Sequence, residues 1–436
     1  MADRVTVIGW DGSPLTAAAR SALSAATLVA GAAHHLALPE VPGNAERIRL
    51  GSIGLAARRI AGHRGSAVVL ADGDPGFFGV VRTLRAPEHG LEVEVVPAVS
   101  SVAAAFARAG MPWDDARIVV AHPRTLRRAV NVCRAHPKVA VLTSPGAGPA
   151  ELALLLDGIH RTFVICEELG TEREQVTVVT SDKAADHVWR DPNVVVVVGG
   201  AAGAPAADSN WIAGRDPGFP AGVRGWALPD ATGPDAASPL SALSPPSAPP
   251  GVDSGAVRGT GTGAGDRSEG TGASLRALQL ARLGPREGDL VWDVGCAGGL
   301  LAVEAGRFGA AVIAVDADPA ACARTDAAAR RAGIRMQTVN GRAPQVLEQL
   351  PEPDVVRIGG GGVETVTACA DRRPERIVTH AGTRDEAEAL CTALAAGGYA
   401  VECVFVQSVD LDPKSWSERE RAVVFLVSGR LPERAP

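Results

Sequence analysis

A glycine-rich turn and the aspartate that follows it are the residues of this sequence whose spacing could support chemistry. The turn runs from Gly295 to Gly299 after an apolar stretch, and Asp316 ends the next apolar stretch. Glycine lets a backbone approach a ligand closely, and a carboxylate at the end of a strand can accept hydrogen bonds from both hydroxyls of a ribose. A dinucleotide fingerprint would need glycines where Ala297 and Leu300 stand. The pattern therefore predicts a nucleoside ligand without a pyrophosphate.

S-Adenosylmethionine meets this description. Its adenosine can reach Asp316 while its amino-acid end lies against the glycines. The alternative is an ordinary turn between a strand and a helix, in which Asp316 acts only as a capping residue. The whole set of residues favours the cofactor.

The elements that must position these residues alternate between apolar runs and helical stretches. Five runs read as buried parallel strands, and two longer runs after them read as an antiparallel hairpin. In order, the seven runs are DLVWDVG, AAVIAVD, RMQTVNG, DVVRIGG, ERIVTHA, YAVECVFVQSVDL and RAVVFLVSGR. This order predicts a doubly wound, Rossmann-like sheet. Its ligand would lie beyond the carboxyl ends of the strands, where Gly295, Asp316, Gly341 and Gly359 to Gly362 would gather.

Composition and charge limit the partners of the chain. The sequence has 436 residues, 46% of them hydrophobic and 21% charged, with a formal net charge of −6. This acidic balance argues against nucleic acid as a partner, since neutralising phosphates requires a basic surface. The sequence starts with a strand-like run, without a signal peptide, and has no stretch long enough to span a membrane. We therefore expect a cytoplasmic protein with a small-molecule substrate and no membrane partner.

Cysteine and histidine show no pattern of a metal site. The seven cysteines include no C-x-x-C pair, so neither a disulfide framework nor a zinc ribbon is indicated. The nine histidines include the neighbours His34 and His35 but no H-E-x-x-H motif. Because neighbouring side chains point in different directions on most backbones, we expect these two rings to diverge, and we predict no metal site.

A change of composition divides the chain. Residues 233–272 are crowded with Gly, Pro, Ser and Ala. Such a segment buries too little apolar surface to offset its ordering entropy. We therefore predict one α/β domain over residues 1–200, a linker over 201–271 that is flexible from 233, and a second α/β domain over 272–436.

The first domain carries three short motifs of its own. Gly9 follows an apolar strand, the stretch Asp72-Gly73-Asp74-Pro75-Gly76 follows another, and Ser100-Ser101 begins an alanine-rich helix. Taken singly, each motif is more often structural than functional, because such turns and N-caps are common.

Taken in order, these motifs resemble the tetrapyrrole methylase family, and within it the precorrin-6Y (precorrin-6B) C5,15-methyltransferases (decarboxylating) of cobalamin biosynthesis. The matching stretches of the first domain include VTVIGWDG, TLVAGAAHHL, LADGDPGFFG, VPAVSSVAAAFARAGMPWDDARIVVAH and CEELGTEREQV. The second domain is similar to the partner module of the same enzymes through VWDVGCAGGLLAVEA, NGRAPQVLEQLPEPDVVRIGGGG and VVFLVSGR. Two modules in this order are far more specific than either glycine loop alone.

The resemblance implies two S-adenosylmethionine sites, one in each domain. It implies a two-lobed first domain that methylates C5 of a precorrin, and a second domain that methylates C15 and removes the C12 acetate carboxyl as carbon dioxide. The matching positions assign these cofactor-binding residues: Gly9, Gly73, Asp74, Pro75, Phe78, Ser100 and Ser101 in the first domain, and Asp293, Gly295, Gly299, Asp316, Gly341, Gly359 and Gly360 in the second. No catalytic residue is assigned, because methyl transfer depends on positioning more than on acids and bases. We also expect a homo-oligomer.

Two departures from the family pattern leave an alternative open. The turn reads Cys296-Ala297-Gly298-Gly299 where the family has a G-T-G-S-like run, and Gly270–Leu283 stands where the family carries an ITK-E-R-like segment. In the alternative, the chain is a C5-methyltransferase whose second domain is a binding or scaffolding module. A third reading, an RNA methyltransferase with an accessory domain, suits the second domain alone.

Overall fold

The computed structural model describes residues 4–51, 53–199, 213–214 and 272–432. Apart from 213–214, the predicted linker lies outside the described residues. The chain divides into two compact units, of which the first comprises Met1–Ala129, Pro137–Gly200 and Ile212–Arg215 and the second the remainder. Among the described residues, no helix is long and apolar enough to cross a membrane.

The first unit begins with a sheet of five parallel strands in the order β3-β2-β4-β1-β5. Its strands are β1 (Arg4–Trp10), β2 (Leu28–Gly31), β3 (Glu46–Arg49), β4 (Ala67–Asp72) and β5 (Glu92–Val96). Its helices are α1 (Ala17–Ser24), α2 (Ala33–Leu36), α3 (Ile53–Ala61) and α4 (Val80–Leu84), with a 3-10 turn at Pro87–His89. Separate apolar clusters form on its two faces, one containing Val7 and the other Ile8. Covering both faces requires the nearly continuous apolar strands of the sequence.

A second sheet completes this unit, with the strand order β6-β7-β10-β8-β9. Only its β6–β7 pair is parallel. Its strands are β6 (Arg117–Val120), β7 (Lys138–Leu142), β8 (Thr162–Glu167), β9 (Gln175–Thr180) and β10 (Asn193–Val198). Its helices are α5 (Ser101–Ala109), α7 (Pro149–Leu155) and α8 (Ser181–Ala185). The division between the units falls within α6 (Leu126–Ala135), after Ala129. Two sheets, each with its own core, confirm the predicted two-lobed α/β fold.

The second unit contains one sheet of seven strands in the order β13-β12-β11-β14-β15-β17-β16. The strands are β11 (Leu290–Val294), β12 (Ala311–Asp316), β13 (Gln337–Asn340), β14 (Val355–Ile358), β15 (Arg376–Ala381), β16 (Ala400–Leu411) and β17 (Glu418–Arg430). The first five are parallel, and β17 runs antiparallel to both of its neighbours. The five predicted parallel strands and the hairpin are therefore confirmed.

Helices cover both faces of this sheet, as the doubly wound fold requires. They are α9 (Ala273–Leu283), α10 (Leu300–Gly306), α11 (Pro319–Ala332), α12 (Gly362–Asp371) and α13 (Arg384–Ala396), with a 3-10 turn at Gln345–Gln349. Trp292 and Ile313 belong to the apolar cluster of one face, whereas Val291 and Val312 belong to that of the other. Alternate residues of each central strand thus fill two cores.

Candidate functional site

The first unit brings its predicted glycines into close backbone contact where β1 and β4 end. A Cβ atom on Gly9 would lie 2.3 Å from the carbonyl oxygen of Gly73 and 2.8 Å from Cδ of Pro75. Gly73 has a φ of +62°, and a Cβ atom there would lie 2.8 Å from the backbone nitrogen of Ser101. Both positions therefore require glycine, the first for space and the second for space and conformation.

A cavity of about 230 Å³ opens beside this junction, between the two sheets of the first unit. Four predicted residues line it, namely Asp74, Phe78, Ser100 and Ser101. The other three predicted residues, Gly9, Gly73 and Pro75, form the packed junction next to Asp74 and Ser101 rather than the lining itself.

The lining residues are held by local contacts. Ser100 caps α5 by accepting a hydrogen bond from the backbone N–H of Val102 at 3.2 Å. Asp74 Oδ1 accepts one from the N–H of Gly76 at 2.8 Å. Phe78 has a φ of +49° and its side chain is half exposed. A non-glycine residue in the left-handed region is strained, and such strain is concentrated at functional sites.

The opposite wall of the cavity was not predicted from the sequence. It comes from the second sheet and includes Leu142, Thr143, Cys166 and Asn193. The Thr143 hydroxyl lies 2.6 Å from both the carbonyl oxygen and Oδ1 of Asn193. Burial raises the pKa of the Cys166 thiol to about 11, with Glu174 acting in the same direction, so this cysteine is not a nucleophile at neutral pH. The wall shapes a pocket and offers polar contacts.

A cluster of His34, His35 and Asp72 lies at the same edge of the first sheet. The two Nε2 atoms lie 2.8 Å and 3.0 Å from the same oxygen, Oδ1 of Asp72, which is itself a lining residue of the cavity. The expectation that the two rings diverge is therefore wrong. They converge because α2 follows β2, and β2 pairs in parallel with β4, whose last residue is Asp72. Within the described part of the chain, this is the one group of His, Cys, Asp or Glu side chains with the spacing of metal ligands.

The second unit gathers its predicted glycines at one edge of the sheet. The N–H of Gly295 donates to the carbonyl of Val315 at 2.8 Å, and that of Gly359 to the carbonyl of Val294 at 2.7 Å. The N–H of Gly341 donates to the carbonyl of Asp316 at 2.9 Å. These bonds continue the strand ladders, so the loops after β11, β12, β13 and β14 meet at one edge, as the fold predicts.

The turn between β11 and α10 requires glycine at both of its ends. Gly295 and Gly299 have φ values of +72° and +70°. A Cβ atom on Gly299 would lie 2.5 Å from Cγ2 of Thr325, while one on Gly295 would lie 3.2 Å from the nitrogen of Gly360. Ala297, between them, also has a positive φ, of +53°. The turn is therefore tight and strained, and its glycines would let the backbone approach a ligand closely.

Asp316 is oriented by two backbone donors. The N–H of Ala297 donates to Oδ2 at 2.9 Å, and the N–H of Asp318 donates to Oδ1 at 2.9 Å. Each carboxylate oxygen can accept more than one hydrogen bond, and the side chain is only partly buried. Asp316 therefore both fixes the turn and can still accept ribose hydroxyls.

Asp293 lies beneath the turn rather than in it. Its side chain is fully buried, and its Oδ1 accepts a hydrogen bond at 2.9 Å from Arg357, which also donates to the carbonyl of Gly295 at 2.9 Å. Burial raises the pKa of Asp293, and the Arg357 guanidinium opposes this rise. The structure thus gives the carboxylate of Asp293 a partner within the protein, and any role toward a cofactor stays a prediction.

Two further groups of the second unit, one partly and one fully buried, were not predicted. His380 lies near the end of β15, and its Nδ1 is 3.2 Å from Nε2 of Gln279 on α9. Burial lowers the pKa of His380 to about 4, and the charge of Arg357 acts in the same direction. Arg276 on α9 pairs with Glu304 on α10 at 3.1 Å, with both side chains buried. The helix that departs from the family pattern therefore contributes a neutral and an ionic contact to the core below the site.

Family models match both parts of the chain. Residues 10–185 match the model for tetrapyrrole (corrin/porphyrin) methylases, and residues 267–411 match the model for a precorrin methyltransferase domain. The first match covers most of the first unit, and the second covers most of the described second unit.

Curated relatives fall into three kinds. A Sinorhizobium precorrin-6Y C(5,15)-methyltransferase (decarboxylating) is 32% identical over 82% of this chain and 78% of the relative. A probable cobalt-precorrin-6B C(15)-methyltransferase (decarboxylating) of Pyrobaculum calidifontis is 37% identical over 32% of this chain and 80% of its own length. A cobalt-precorrin-7 C(5)-methyltransferase of Salmonella typhimurium is 37% identical over 37% of this chain and 82% of its own length.

Proposed function

Because this chain belongs to the family of precorrin-6Y C5,15-methyltransferases (decarboxylating), we propose that it methylates a precorrin at C5 and C15 and removes the C12 acetate carboxyl as carbon dioxide. The observation that carries this proposal is that each unit has a glycine-lined sheet edge of its own and each matches a methyltransferase family model. In this proposal residues 1–200 carry C5 methylation, and residues 272–436 carry C15 methylation and decarboxylation. Relatives named for one position alone each match about a third of the chain, which supports this division.

In the first unit, we propose that the cavity beside Gly9 and Gly73 holds the nucleoside part of the cofactor. S-Adenosylmethionine supplies the methyl group as a sulfonium. The half-exposed ring of Phe78 offers a face on which an adenine can stack, and Asp74 and Ser101 offer polar contacts in the same lining.

In the second unit, we propose that Asp316 accepts the ribose hydroxyls while the backbone of Gly295–Gly299 contacts the amino-acid end. The carboxylate is already oriented by Ala297 and Asp318, so little ordering entropy is lost when a ribose binds. At the same edge, a Cβ atom on Gly360 would meet nothing within 4 Å, so this glycine leaves room for the transferred methyl group, whereas Gly341 and Gly359 pack against Val346 and the carbonyl of Gly295. The work of this site is positioning, which converts methyl transfer into an effectively intramolecular step.

Product analysis by mass spectrometry tests the proposal directly. The full chain, given a purified precorrin-6B and S-adenosylmethionine, is expected to add two methyl groups and release one carbon dioxide. One methyl group at C5 without loss of carbon dioxide would support the alternative in which the second unit is a scaffold. No methyl transfer at all would overturn the proposed function.

Paired variants assign each step to its unit. Gly9→Val should abolish C5 methylation, because its Cβ atom meets backbone that cannot move aside, and leave decarboxylation intact. Gly43→Ala is the matched control, since a Cβ atom there meets nothing within 4 Å. Asp316→Asn should impair C15 methylation of precorrin-6B but not C5 methylation of precorrin-7, with the exposed Asp371→Asn as its control. If either site variant impaired both steps alike, the division of labour would be wrong.

A further inference from the structure

The His34, His35 and Asp72 cluster has no role in the positioning chemistry described above. It lies where β2 and β4 end, and Asp72 lines the cavity assigned to the cofactor. Both His34 and Asp72 are solvent accessible, with side chains 44% and 54% exposed, whereas His35 is buried. His34 is not itself a lining residue, but its Nε2 lies 2.8 Å from Oδ1 of the lining residue Asp72. A bulky substrate that extends past Asp72 out of the cavity would therefore meet His34.

Methylation of a bridging ring carbon releases a proton. The bond from sulfur to the methyl carbon breaks, and its electron pair stays on sulfur. A new carbon–carbon bond forms with a π pair of the ring. The C–H bond of the same ring carbon then breaks, its electron pair restores the conjugation, and a proton leaves. Each such transfer therefore needs one proton acceptor, and a positioned side chain can fill this role.

We propose that His34 accepts this proton during methyl transfer in the first unit, with Asp72 and His35 as the positioning residues of His34. This inference rests on the proposed C5-methyltransferase activity of that unit. It adds an acid–base group to a site that otherwise works by positioning.

The hydrogen bonds of His34 leave one ring nitrogen ready for the proton. Nε2 lies 2.8 Å from Oδ1 of Asp72, so the N–H of the neutral ring belongs on Nε2. Nδ1 has no hydrogen-bond partner among the described residues, and its lone pair can take up a proton. Asp72 then stabilises the imidazolium, as an orienting carboxylate does in other acid–base pairs.

Asp72 stays ionised in this arrangement. Burial alone would raise the pKa of Asp72, but the hydrogen bond from His34 and the close approach of the His35 ring outweigh burial and hold this pKa well below its ordinary value. In turn, the hydrogen bond to Asp72 raises the pKa of His34. The titratable groups that face His34 are Asp72 on β4 and His35 on α2, and the indole of Trp10 on β1 lies with its centroid 6.0 Å from the His34 ring.

His35 holds the carboxylate in place and is poorly suited to bind a metal. The backbone N–H of Ala32 donates to its Nδ1 at 3.2 Å, which places the ring proton on Nε2. That Nε2 lies 3.0 Å from Asp72 Oδ1, without the alignment of a full hydrogen bond. A metal bound at Nε2 would have to displace this proton, and Nδ1 could not take it while it accepts from Ala32. The tautomer therefore favours proton transfer over metal binding.

The test uses the full chain, a precorrin-7 substrate and single-turnover kinetics across pH. His34→Gln keeps an amide donor for Asp72 but cannot take up the proton, and it should slow C5 methylation by about 10²- to 10⁴-fold. Binding of S-adenosylhomocysteine and C15 methylation of precorrin-6B should stay unchanged. His160→Gln, an exposed histidine of the same unit, is the matched control.

The variant Asp72→Asn distinguishes a positioning role of Asp72 toward His34 from a purely structural role. The wild-type rate should fall below the pKa of His34, and this limb should move to lower pH in Asp72→Asn because the carboxylate no longer raises that pKa. An unchanged C5 rate in His34→Gln would overturn the inference while leaving the proposed function standing. So would stoichiometric zinc in the purified chain that is lost in both variants, since the cluster would then be a metal site. A wild-type chain without any C5 methylation would instead overturn the function.

Discussion

The two units present a similar glycine-lined edge but treat their polar groups in opposite ways. In the first unit, His34 and Asp72 are partly exposed and hydrogen-bonded to each other, and Asp72 lines the cavity. In the second unit, Asp293 and Arg357 are buried beneath the turn, and His380 is partly buried near the end of β15. Exposed groups can exchange protons with a substrate, whereas buried ones fix the backbone that does the positioning. The comparison assigns acid–base work to the first unit and rigid positioning to the second.

The largest effect is expected from breaking the buried pair of the second unit. Arg357→Met leaves the carboxylate of Asp293 buried without its partner and should lower the free energy of unfolding of this unit by about 3–5 kcal/mol. Hydrogen exchange of β11 and β12 peptides in the full chain measures this loss, while peptides of β4 report the first unit. The double variant Asp293→Leu with Arg357→Met should recover most of the loss.

Arg384→Met is the control for this prediction, because it removes an exposed pair with Glu388. Such exposed pairs contribute about 0.5 kcal/mol or less. If Arg357→Met cost no more than Arg384→Met, the second unit would not depend on its buried charges, and the contrast between the units would fail.

The next largest effect concerns the ribose contact. Asp316→Ala should weaken S-adenosylhomocysteine binding to the second unit by about 1.5–3 kcal/mol, the value of a hydrogen bond to a charged group. Calorimetry of the full chain should then show one site weakened and the other unchanged. If the affinities of both sites in the variant were the same as in the unaltered chain, Asp316 would only cap the turn. Asp371→Ala serves as the matched control.

The fold of both units could be predicted because its causes are local. Short, nearly continuous apolar runs rich in valine and isoleucine indicate strands that are covered on both faces, and the glycines mark the ends of those strands. The buried pair of Asp293 and Arg357 could also have been predicted from the sequence. A lone aspartate interrupts the apolar β11 and a lone arginine the apolar β14, and the two face each other in the register of the sheet. Single charges in adjacent buried strands must pair.

The rest of the site depends on pairings between distant parts of the chain. The cavity wall formed by Thr143 and Asn193 comes from a second sheet, far along the chain from the glycine turns of the first. The histidine pair converges on Asp72 only because β2 and β4 are neighbours, although β3 lies between them in sequence. Local propensity contains no information on which strands become neighbours.

A smaller effect is expected from acid on the second unit. The pKa of His380 is lowered to about 4 in the folded chain, against about 6.5 in an unfolded one. As the pH falls from 7 to 5, His380 becomes protonated in the unfolded state but stays neutral in the folded state. The unit should therefore lose about 2 kcal/mol of stability by pH 5, and His380→Gln should remove this dependence. Hydrogen exchange of β15 peptides at the two pH values measures it, and an equal loss in the variant would contradict the assignment to His380.

The smallest effect has the opposite sign and belongs to the first unit. Because Asp72 raises the pKa of His34 in the folded state, the contribution of His34 to stability is complete below its unfolded pKa. It is lost as the pH rises through the folded value. The side chains are about half exposed, so the change should stay below about 1 kcal/mol. A magnetic resonance titration of labelled histidine in the full chain should place the pKa of His34 above the ordinary value for histidine of about 6.5, and Asp72→Asn should lower it. If the pKa of His34 were the same in the unaltered chain and in Asp72→Asn, Asp72 would not be acting on it, and the first unit would lose the proton acceptor that distinguishes it from the second.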